Sequence, residues 1–585
     1  MIPASTKLII VSCISVIILA SGFLLFKKLL PNKKIHPLVY VIVISLLPLT
    51  SLFRSGTYES GDLSLHVYEA MSFYSSLLEG HIFPLWGGLL NATYGYPVFN
   101  FSYPLPFYLI SFFHLIGFSF ITSIKLLLAM TFIFSGIGMY LWIKEELGEM
   151  SGIASSLFYM YAPYHLVDMH FRVDIGEVTA LSISPFVFYF LKKLSIKTSI
   201  IHLLFLSCSV AALILSHQAV SIIVFPILIL YELFIYSKKR DGKYLTYAFF
   251  SLTIGLLLSL FYWLPLLYEL QFTLKSNVVS VSYQNFWEFI YSNWKYGLLF
   301  QGPKGQLSYI IGYTQLFIVL YSLYLLVKGK IKKTNLLYLF AILSFFVLFV
   351  MMLPISQPIY SILPLFKHIQ FSYRFLAGIT LCTSLIAGIV VKVNKNKSFI
   401  VILCVITILI TIFNWGNRRT IGAITDTTLR ANIPLSTIQG EGNIQSAPKW
   451  VDQKNVWKKN IPKMPLYILK GIATIKQINR TSTIHEYIVN AATPLYIEEN
   501  TLYFPNWEVL INSKPIPISY QNNRNPGIIF FNAPAGLYLV SIEYNQTFIR
   551  TDSQIISITC MIAVLLFFVF YTYLFLSPKF YIKKR

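Results

Sequence analysis

The chain reads as a polytopic α-helical membrane protein of about thirteen transmembrane helices, with an extracytoplasmic β-rich, sandwich-like domain before the last helix. Three observations carry that reading. Of 585 residues, 56% are hydrophobic and only 12% charged, the balance of a membrane bundle rather than of soluble domains. Apolar runs of about 16 to 23 residues recur along the chain, near the ~20 needed to span ~30 Å of hydrocarbon. Between 416 and 553 these runs give way to shorter, alternating stretches richer in Asn, Thr, Lys and Pro.

The runs begin near residues 7, 38, 123, 151, 177, 199, 219, 246, 308, 335, 373, 398 and 555. Short clusters almost free of acids lie beside them: Lys27 to Lys34, Lys192 to Lys197, Lys238 to Lys243, Lys328 to Lys333, Lys392 to Lys397 and Lys579 to Arg585. Basic residues in short loops mark the cytoplasmic side. The net charge of +23 is thus used for topology and not gathered into a nucleic-acid patch. A further run, "PLPFYLISFFHLIGFS" at 104–119, is short and opens with two prolines. Counted as a span, it would turn the later basic loops outward, so it is assigned to the interface.

Residues 54–122 then form a first external loop, with one amphipathic helix near 62–79 and a membrane-embedded one near 104–119. Residues 1–6, the links 167–176 and 217–218, the loops 265–307 and 354–372, and the stretch 416–553 also fall outside. The expected organisation is a membrane domain over 1–415, the β-rich domain over 416–553, and a last helix with a basic cytoplasmic tail over 554–585. Cys13, Cys208, Cys382, Cys404 and Cys560 all sit in apolar runs and indicate neither a disulfide framework nor a thiolate metal site.

Within the β-rich stretch, Trp507, Val509 and Ile511 alternate with their neighbours, and Ser513-Lys514 is placed to turn the chain into a second strand. "GIIFFNAPAGLYLVSIEY" repeats the pattern around Ala533 to Gly536. Two β architectures, sandwich and barrel, share this pattern.

The segment "ESGDLSLHVYEAMSFY", 59–74, concentrates charge at a membrane edge. On a helix, residues 59, 62, 66 and 69 advance by 3, 4 and 3, which gathers them on one face. Ser60-Gly61 delays the helix start and leaves Glu59 out, so that Asp62, His66 and Glu69 converge. Leu63, Leu65, Met71 and Leu78 line the opposite side. The same pattern also suits a solvated interfacial face with Asp62 as N-cap, and its spacing makes no strong metal site. Outside the β-domain, the charges collect at external boundaries: Asp62, His66, Asp168, Arg172, Asp174, Glu177, Glu269 and Arg374, with His217 beside them. No charge lies clearly at mid-bilayer, where ion-coupled transporters bury theirs. Structural alternatives stand beside each: Arg172 pairing with Asp174 or Glu177, Arg374 as an interfacial anchor, His217 and Glu269 as helix ends. Trp287 and Trp294 suit sugar stacking or an aromatic belt.

The stretch "GDLSLHVYEAMSFYSSLLEGHIFPLWGGLLNATYGYPVFNFSYPLPFYLISFFHLIG" resembles the first external loop of a prokaryotic polytopic family labelled membrane protein, 6-pyruvoyl-tetrahydropterin synthase-related. The matching positions are Asp62, His66, Pro84 with Trp86, Tyr94 to Pro97, and Pro104 with Pro106. "FRVDIGEVTALSISPF", "LSHQ", "FYWLPLLYE" and "IQFSYRFL" match further family segments, so the resemblance runs from about 54 to 392. "YFPNWEVLINSKPIPI" resembles the opening of the C-terminal β-domain in related large bacterial membrane proteins. Three departures stand out: Val173-Asp174 replaces Gly-Ala, Ser372 a proline, and Asn506 a glycine.

The family label is not an activity, because nothing in the chain supplies the compact soluble histidine zinc site of a pterin synthase. The resemblance implies instead a GT-C glycosyltransferase architecture, with a carboxylate in the first external loop and a polyprenyl-phosphate-linked sugar donor. On that implication Asp62 is the general base for the acceptor hydroxyl in an inverting transfer. His66 or Glu69 orients it, and Arg172 or Arg374 holds the leaving phosphate. Asp174, Glu177, His217 and Glu269 join them as substrate-binding residues. The expected location is a multi-pass plasma membrane protein with an extracytoplasmic active face. Its partners would be membrane lipid, the donor, and a glycan, lipid or protein acceptor, with no nucleic acid. No cofactor is assigned, and a divalent cation remains open. The rival reading is a non-enzymatic lipid-linked glycan flippase or cell-envelope assembly protein.

Overall fold

A computed structural model describes residues 4–58, 60–274, 281–291, 308–394, 396–412, 415–416, 420–422, 424–432, 446–452 and 461–576. Glu59 and Trp294 lie outside them. Every apolar run forms a helix, because a run without Gly or Pro clusters satisfies its own backbone in an apolar setting only as a helix. Span length is another matter. Among the described residues, six helices are long and apolar enough to cross a membrane: Ile9–Leu29, Phe120–Leu147, Ile175–Ile196, Gln218–Lys239, Ser372–Val393 and Phe548–Tyr573. Two bent pairs, Gly242–Leu258 with Leu260–Phe272 and Leu336–Met351 with Pro354–Ile362, raise this to eight at most. The expected thirteen is not reached among the described residues. Pro37–Phe53, Ile200–Ser216, Tyr313–Val327 and Lys397–Leu409 are shorter; at 1.5 Å per residue, even seventeen residues reach only about 26 Å.

The chain divides into two compact units, residues 1–64, 116–255 and 279–425 in one and 65–115, 256–278 and 426–585 in the other. The first unit is helical. Phe120–Leu147 packs on Glu149–Met160 and on Ile175–Ile196, and small residues let the backbones approach. A Cβ on Gly136 would lie 2.3 Å from Met160 Sδ, and one on Gly138 2.9 Å from the Phe186 ring. Gly148, at φ +98°, separates the first two of these helices. Strands β1 (Thr57–Tyr58) and β2 (Thr420–Ile421) pair antiparallel.

The second unit carries the sheets. An antiparallel five-stranded sheet has the order β4 (Ala473–Arg480), β5 (Ile484–Ala491), β10 (Gly536–Tyr544), β7 (Trp507–Ile511), β8 (Lys514–Ile516). A three-stranded one runs β3 (Leu466–Lys470), β6 (Leu495–Leu502), β9 (Ile528–Ala533). Neither closes on itself. The hairpin β7–β8 turns at Asn512 and Ser513, with φ of 45° and 63°, the left-handed pair that two-residue hairpins favour. The expected second hairpin around Ala533 to Gly536 does not form. There β9 and β10 belong to different sheets, so the turn carries the chain from one sheet to the other.

Helix Leu63–Leu78 belongs to the second unit from Leu65 on. Its polar stripe is not solvated: His66 and Glu69 are 5% and 3% exposed, and Leu63 and Met71 are buried too. Of the apolar side, Leu78 is 72% exposed. The alternative of a solvated polar face is therefore corrected for His66 and Glu69. Phe73 packs against Phe99, Phe107 and Tyr108, which closes that face. The prolines of Pro104–Leu115 start that helix where a missing N–H is harmless.

The Pro-x-Trp and Tyr-Gly-Tyr-Pro motifs pack on one another. Gly95, at φ +64°, faces the Trp86 indole, and a Cβ there would lie 2.1 Å from Nε1. Trp86 itself stands edge-on to Trp507 at 5.3 Å and against Tyr544 at 5.3 Å. Gly95→Ala combines left-handed strain with overpacking. It should destabilise the second unit by about 2–4 kcal/mol, read as a lower thermal midpoint in detergent with a red-shifted tryptophan emission. An unchanged midpoint would show that Trp86 yields freely.

Candidate functional site

The first unit gathers one buried web of charge. The segment 163–177 builds most of it. Pro163–Val167 and the π-helical turn Asp168–Arg172 bring Asp168 and Arg172 to i,i+4 spacing. Val173 then reverses the chain at φ 57°, ψ 45°, a left-handed conformation that is a genuine outlier for a β-branched residue. The next residue, Asp174, caps Ile175–Ile196, its carboxylate accepting the Glu177 N–H at 2.9 Å. His217 does the same for Gln218–Lys239, its Nδ1 accepting the Val220 N–H at 3.3 Å. A ring nitrogen that accepts leaves the proton on Nε2, and that atom lies 4.0 Å from Glu177 Oε1. Two long helices thus direct their N-terminal positive ends at the carboxylates.

Arg172 sits among three acids. Its Nη1 donates to Asp168 Oδ1 at 2.5 Å and Glu177 Oε2 at 2.9 Å, its Nη2 to Asp174 Oδ2 at 3.0 Å and Glu177 Oε1 at 3.2 Å. Arg374 Nε reaches the same Glu177 Oε1 at 2.7 Å, while its Nη1 donates to Ile369 O and to Gln370 Oε1. Gln370 is held at φ 68°. The Tyr164 hydroxyl donates to Glu177 Oε2, and the Tyr373 ring lies under the Arg172 guanidinium at 5.3 Å. Glu177 and Asp168 are 0% exposed, Arg172 6%.

Protonation follows from burial. Burial pushes the Asp168 carboxyl well up against the pull of Arg172, helped by Glu177 and Asp174, and its Oδ2 has no hydrogen-bond partner among the described residues. Burial and Glu177 raise Asp174, but His217, Arg172 and Arg374 pull harder and leave it below its ordinary value; at neutral pH the two guanidinium groups are the charges that persist. Burial lowers His217 to about 4, with Arg374 adding to the fall and Asp174 opposing it. With Asp168 protonated and His217 neutral, two carboxylates meet two guanidinium groups. A buried web is stable only when balanced in this way.

Asp62 is docked onto this web by its backbone. Gly61 N–H donates to Phe171 O at 2.7 Å and Asp62 N–H to Arg172 O at 2.8 Å, and a Cβ on Gly61 would lie 3.1 Å from Arg172 O. Upstream, the buried Lys125 Nζ donates to Arg54 O and Gly56 O at 2.5 and 2.6 Å, and β1 pairs with β2. Ser60 Oγ accepts the Leu63 N–H at the helix start. The Asp62 side chain is half-buried.

His66, Glu69 and Glu269 belong to the second unit and have partners there. His66 Nδ1 and Glu69 Oε2 pair at 3.0 Å. Glu269 accepts from Arg550 Nε at 3.1 Å, from Arg550 Nη2 at 2.5 Å and from Asn100 at 2.9 Å. Asp168, Tyr164 and Tyr373 complete the web without being singled out by the sequence as site residues. The signal for Asp168 was its i,i+4 spacing to Arg172; the tyrosines gave none.

Asp174, Glu177 and His217 have the composition of a cation site, with one ligand atom of each within 4.8 Å of the others. Glu177 is already fully engaged within the protein. Each Glu177 oxygen already accepts two hydrogen bonds, which uses its lone pairs.

A family of membrane proteins is defined by this kind of chain. Residues 99–421 match the family described as 6-pyruvoyl-tetrahydropterin synthase related domain; membrane protein, and the protein belongs to that family. It is similar to an uncharacterized protein of Lactococcus lactis subsp. cremoris (strain MG1363), 27% identical over 347 residues, 55% of each chain; it thus spans about half that relative's length. Among solved structures it is similar to the arabinofuranosyltransferase AftD from Mycobacteria, with TM-score 0.40, 13% identity and coverage of 67% of this chain and 28% of that one. It is also similar to the oligosaccharyltransferase of Archaeoglobus fulgidus in complex with Zn and sulfate, with TM-score 0.43, 13% identity and coverage of 66% and 53%.

Proposed function

We propose that this membrane protein transfers a sugar from a polyprenyl-phosphate donor to an acceptor hydroxyl outside the cytoplasm, with inversion and with Asp62 as the general base. The observation that carries the reading is the docking of Gly61-Asp62 onto Phe171-Arg172. It ties a half-buried carboxylate by two backbone hydrogen bonds to a frame that a balanced ionic web makes rigid. Preorganisation of that kind is what a base needs in order to meet its proton donor at hydrogen-bond distance.

Arg172 takes a different part from the phosphate clamp first considered. Its terminal nitrogens are engaged by carboxylates, so it positions Asp62 through the backbone. Arg374, held by Glu177 and Gln370, steadies the same frame. Asp62→Asn keeps the side-chain shape and removes the base. Transfer from a polyprenyl-phosphate sugar in membranes should fall about 10²–10⁴-fold, with an unchanged thermal midpoint. Transfer at the wild-type rate would refute Asp62 as the base. No transfer by the wild type with any donor, together with movement of lipid-linked glycan between leaflets, would favour the flippase reading.

A further inference from the structure

The cation-like group in the first unit is better described by what fills it. Three carboxylates, those of Asp168, Asp174 and Glu177, place oxygens within 2.5–3.2 Å of the two terminal nitrogens of Arg172. That is the arrangement acids take around a bound cation, with the guanidinium at its centre.

We infer that Arg172 is a resident cation: its guanidinium occupies the place of a divalent ion, so the native chain binds none at these residues, and removal of the guanidinium opens the site to one. The inference rests on the geometry of the web and is independent of glycosyl transfer. Hydrogen-bond capacity gives the first reason. The planar fork of Arg172 serves both Glu177 oxygens and one oxygen of each aspartate, and Arg374 and Tyr164 use what remains on Glu177, leaving no lone pair on Glu177 for a metal.

Charge gives the second. A divalent ion added beside Arg172 and Arg374 would leave the buried web positive. With Arg172 gone, Asp174 and Glu177 against Arg374 leave one negative charge, and a divalent ion that also displaces the Asp168 proton brings the web to balance. Chemistry gives the third. Carboxylate oxygens with an imidazole nearby suit Mn²⁺ or Zn²⁺. His217 can join through Nε2 only by giving up the tautomer that caps Gln218–Lys239, so the carboxylates form the core of the set.

The test uses the full chain purified in detergent and Mn²⁺ alone as probe, followed by calorimetric titration and by the thermal midpoint. The wild type should show no stoichiometric Mn²⁺ binding and no shift in midpoint. Arg172→Ala and Arg172→Gln should have lower midpoints that Mn²⁺ raises in a saturable way, at one ion per chain. Adding Asp174→Asn to either variant should abolish that rise. Stoichiometric Mn²⁺ binding by the wild type that Asp174→Asn removes would overturn the inference, as would folded Arg172 variants that bind no Mn²⁺. If neither variant can be purified even with Mn²⁺ present throughout, a divalent ion does not replace the guanidinium and the inference also fails.

Discussion

Glu177→Ala is expected to lower the stability of the protein by about 3–5 kcal/mol, the range for removing one partner of a buried charge network. The carboxylate is fully buried and meets Arg172, Arg374 and Tyr164 at once. Its loss leaves Asp174 as the one ionised carboxylate of the web set against two guanidinium groups, with the protonated Asp168 still bound to Arg172. Because burial penalises each uncompensated charge, the cost exceeds that of the hydrogen bonds themselves. The double variant Glu177→Ala/Arg374→Ala should recover part of the loss, since it also removes the second unpaired cation. Thermal or denaturant unfolding in detergent measures both. A single-variant cost below about 1 kcal/mol, the scale of exposed pairs, would mean that water reaches the web.

The positions of the helices were legible because apolar runs report them directly, whereas their number as spans was not. Ile200–Ser216 and Lys397–Leu409 are helices whose ends are set by His217 and by the residues after Leu409, and composition says nothing of where a run stops being helical. The break at Ser259 was equally hidden. There Ser557 Oγ accepts the Phe261 N–H and donates to Leu257 O, a repair made by a residue nearly three hundred positions away. Strand alternation gave the β-strands but not their partition, since period two names a face and never a neighbour.

The departures from the resembled pattern become intelligible in the structure. Asn506 stands at φ 82°, a left-handed position that asparagine tolerates in place of glycine. Ser372 donates its N–H to Ser282 O at 3.0 Å, a bond that a proline has no hydrogen to make. Val173 accepts strain where glycine would have none, and the web on either side of it holds it there. In the first loop, helical spacing placed His66 and Glu69 on one face, but burial of that face against aromatic side chains comes from packing over long sequence separations, which a periodicity does not carry.

Acid should loosen the 163–172 segment before the rest of the first unit. His165, His170 and His217 are all buried: burial lowers the first to about 4, the second to about 3 and the third to about 4, with His165 adding to the fall at His170. In the unfolded chain each titrates near 6.5. Between about pH 6.5 and 4 the unfolded state therefore holds three protons that the folded state does not, and stability falls as pH falls through that window. Each contributes about 1.4 kcal/mol per pH unit. Asp168 acts with the opposite sign. Its folded carboxyl is protonated well above the usual carboxylate range, so the folded state holds one proton that an unfolded aspartate has released, which offsets one of the three. The net slope is that of two protons, about 2.7 kcal/mol per pH unit. Thermal midpoints recorded from pH 7 to pH 4.5 should drop steeply, and His165→Gln with His170→Gln should flatten most of the drop. A midpoint that held level or rose towards pH 4.5 would show that these imidazoles are not held neutral by burial, and with that the charge balance around Arg172 would have to be drawn again.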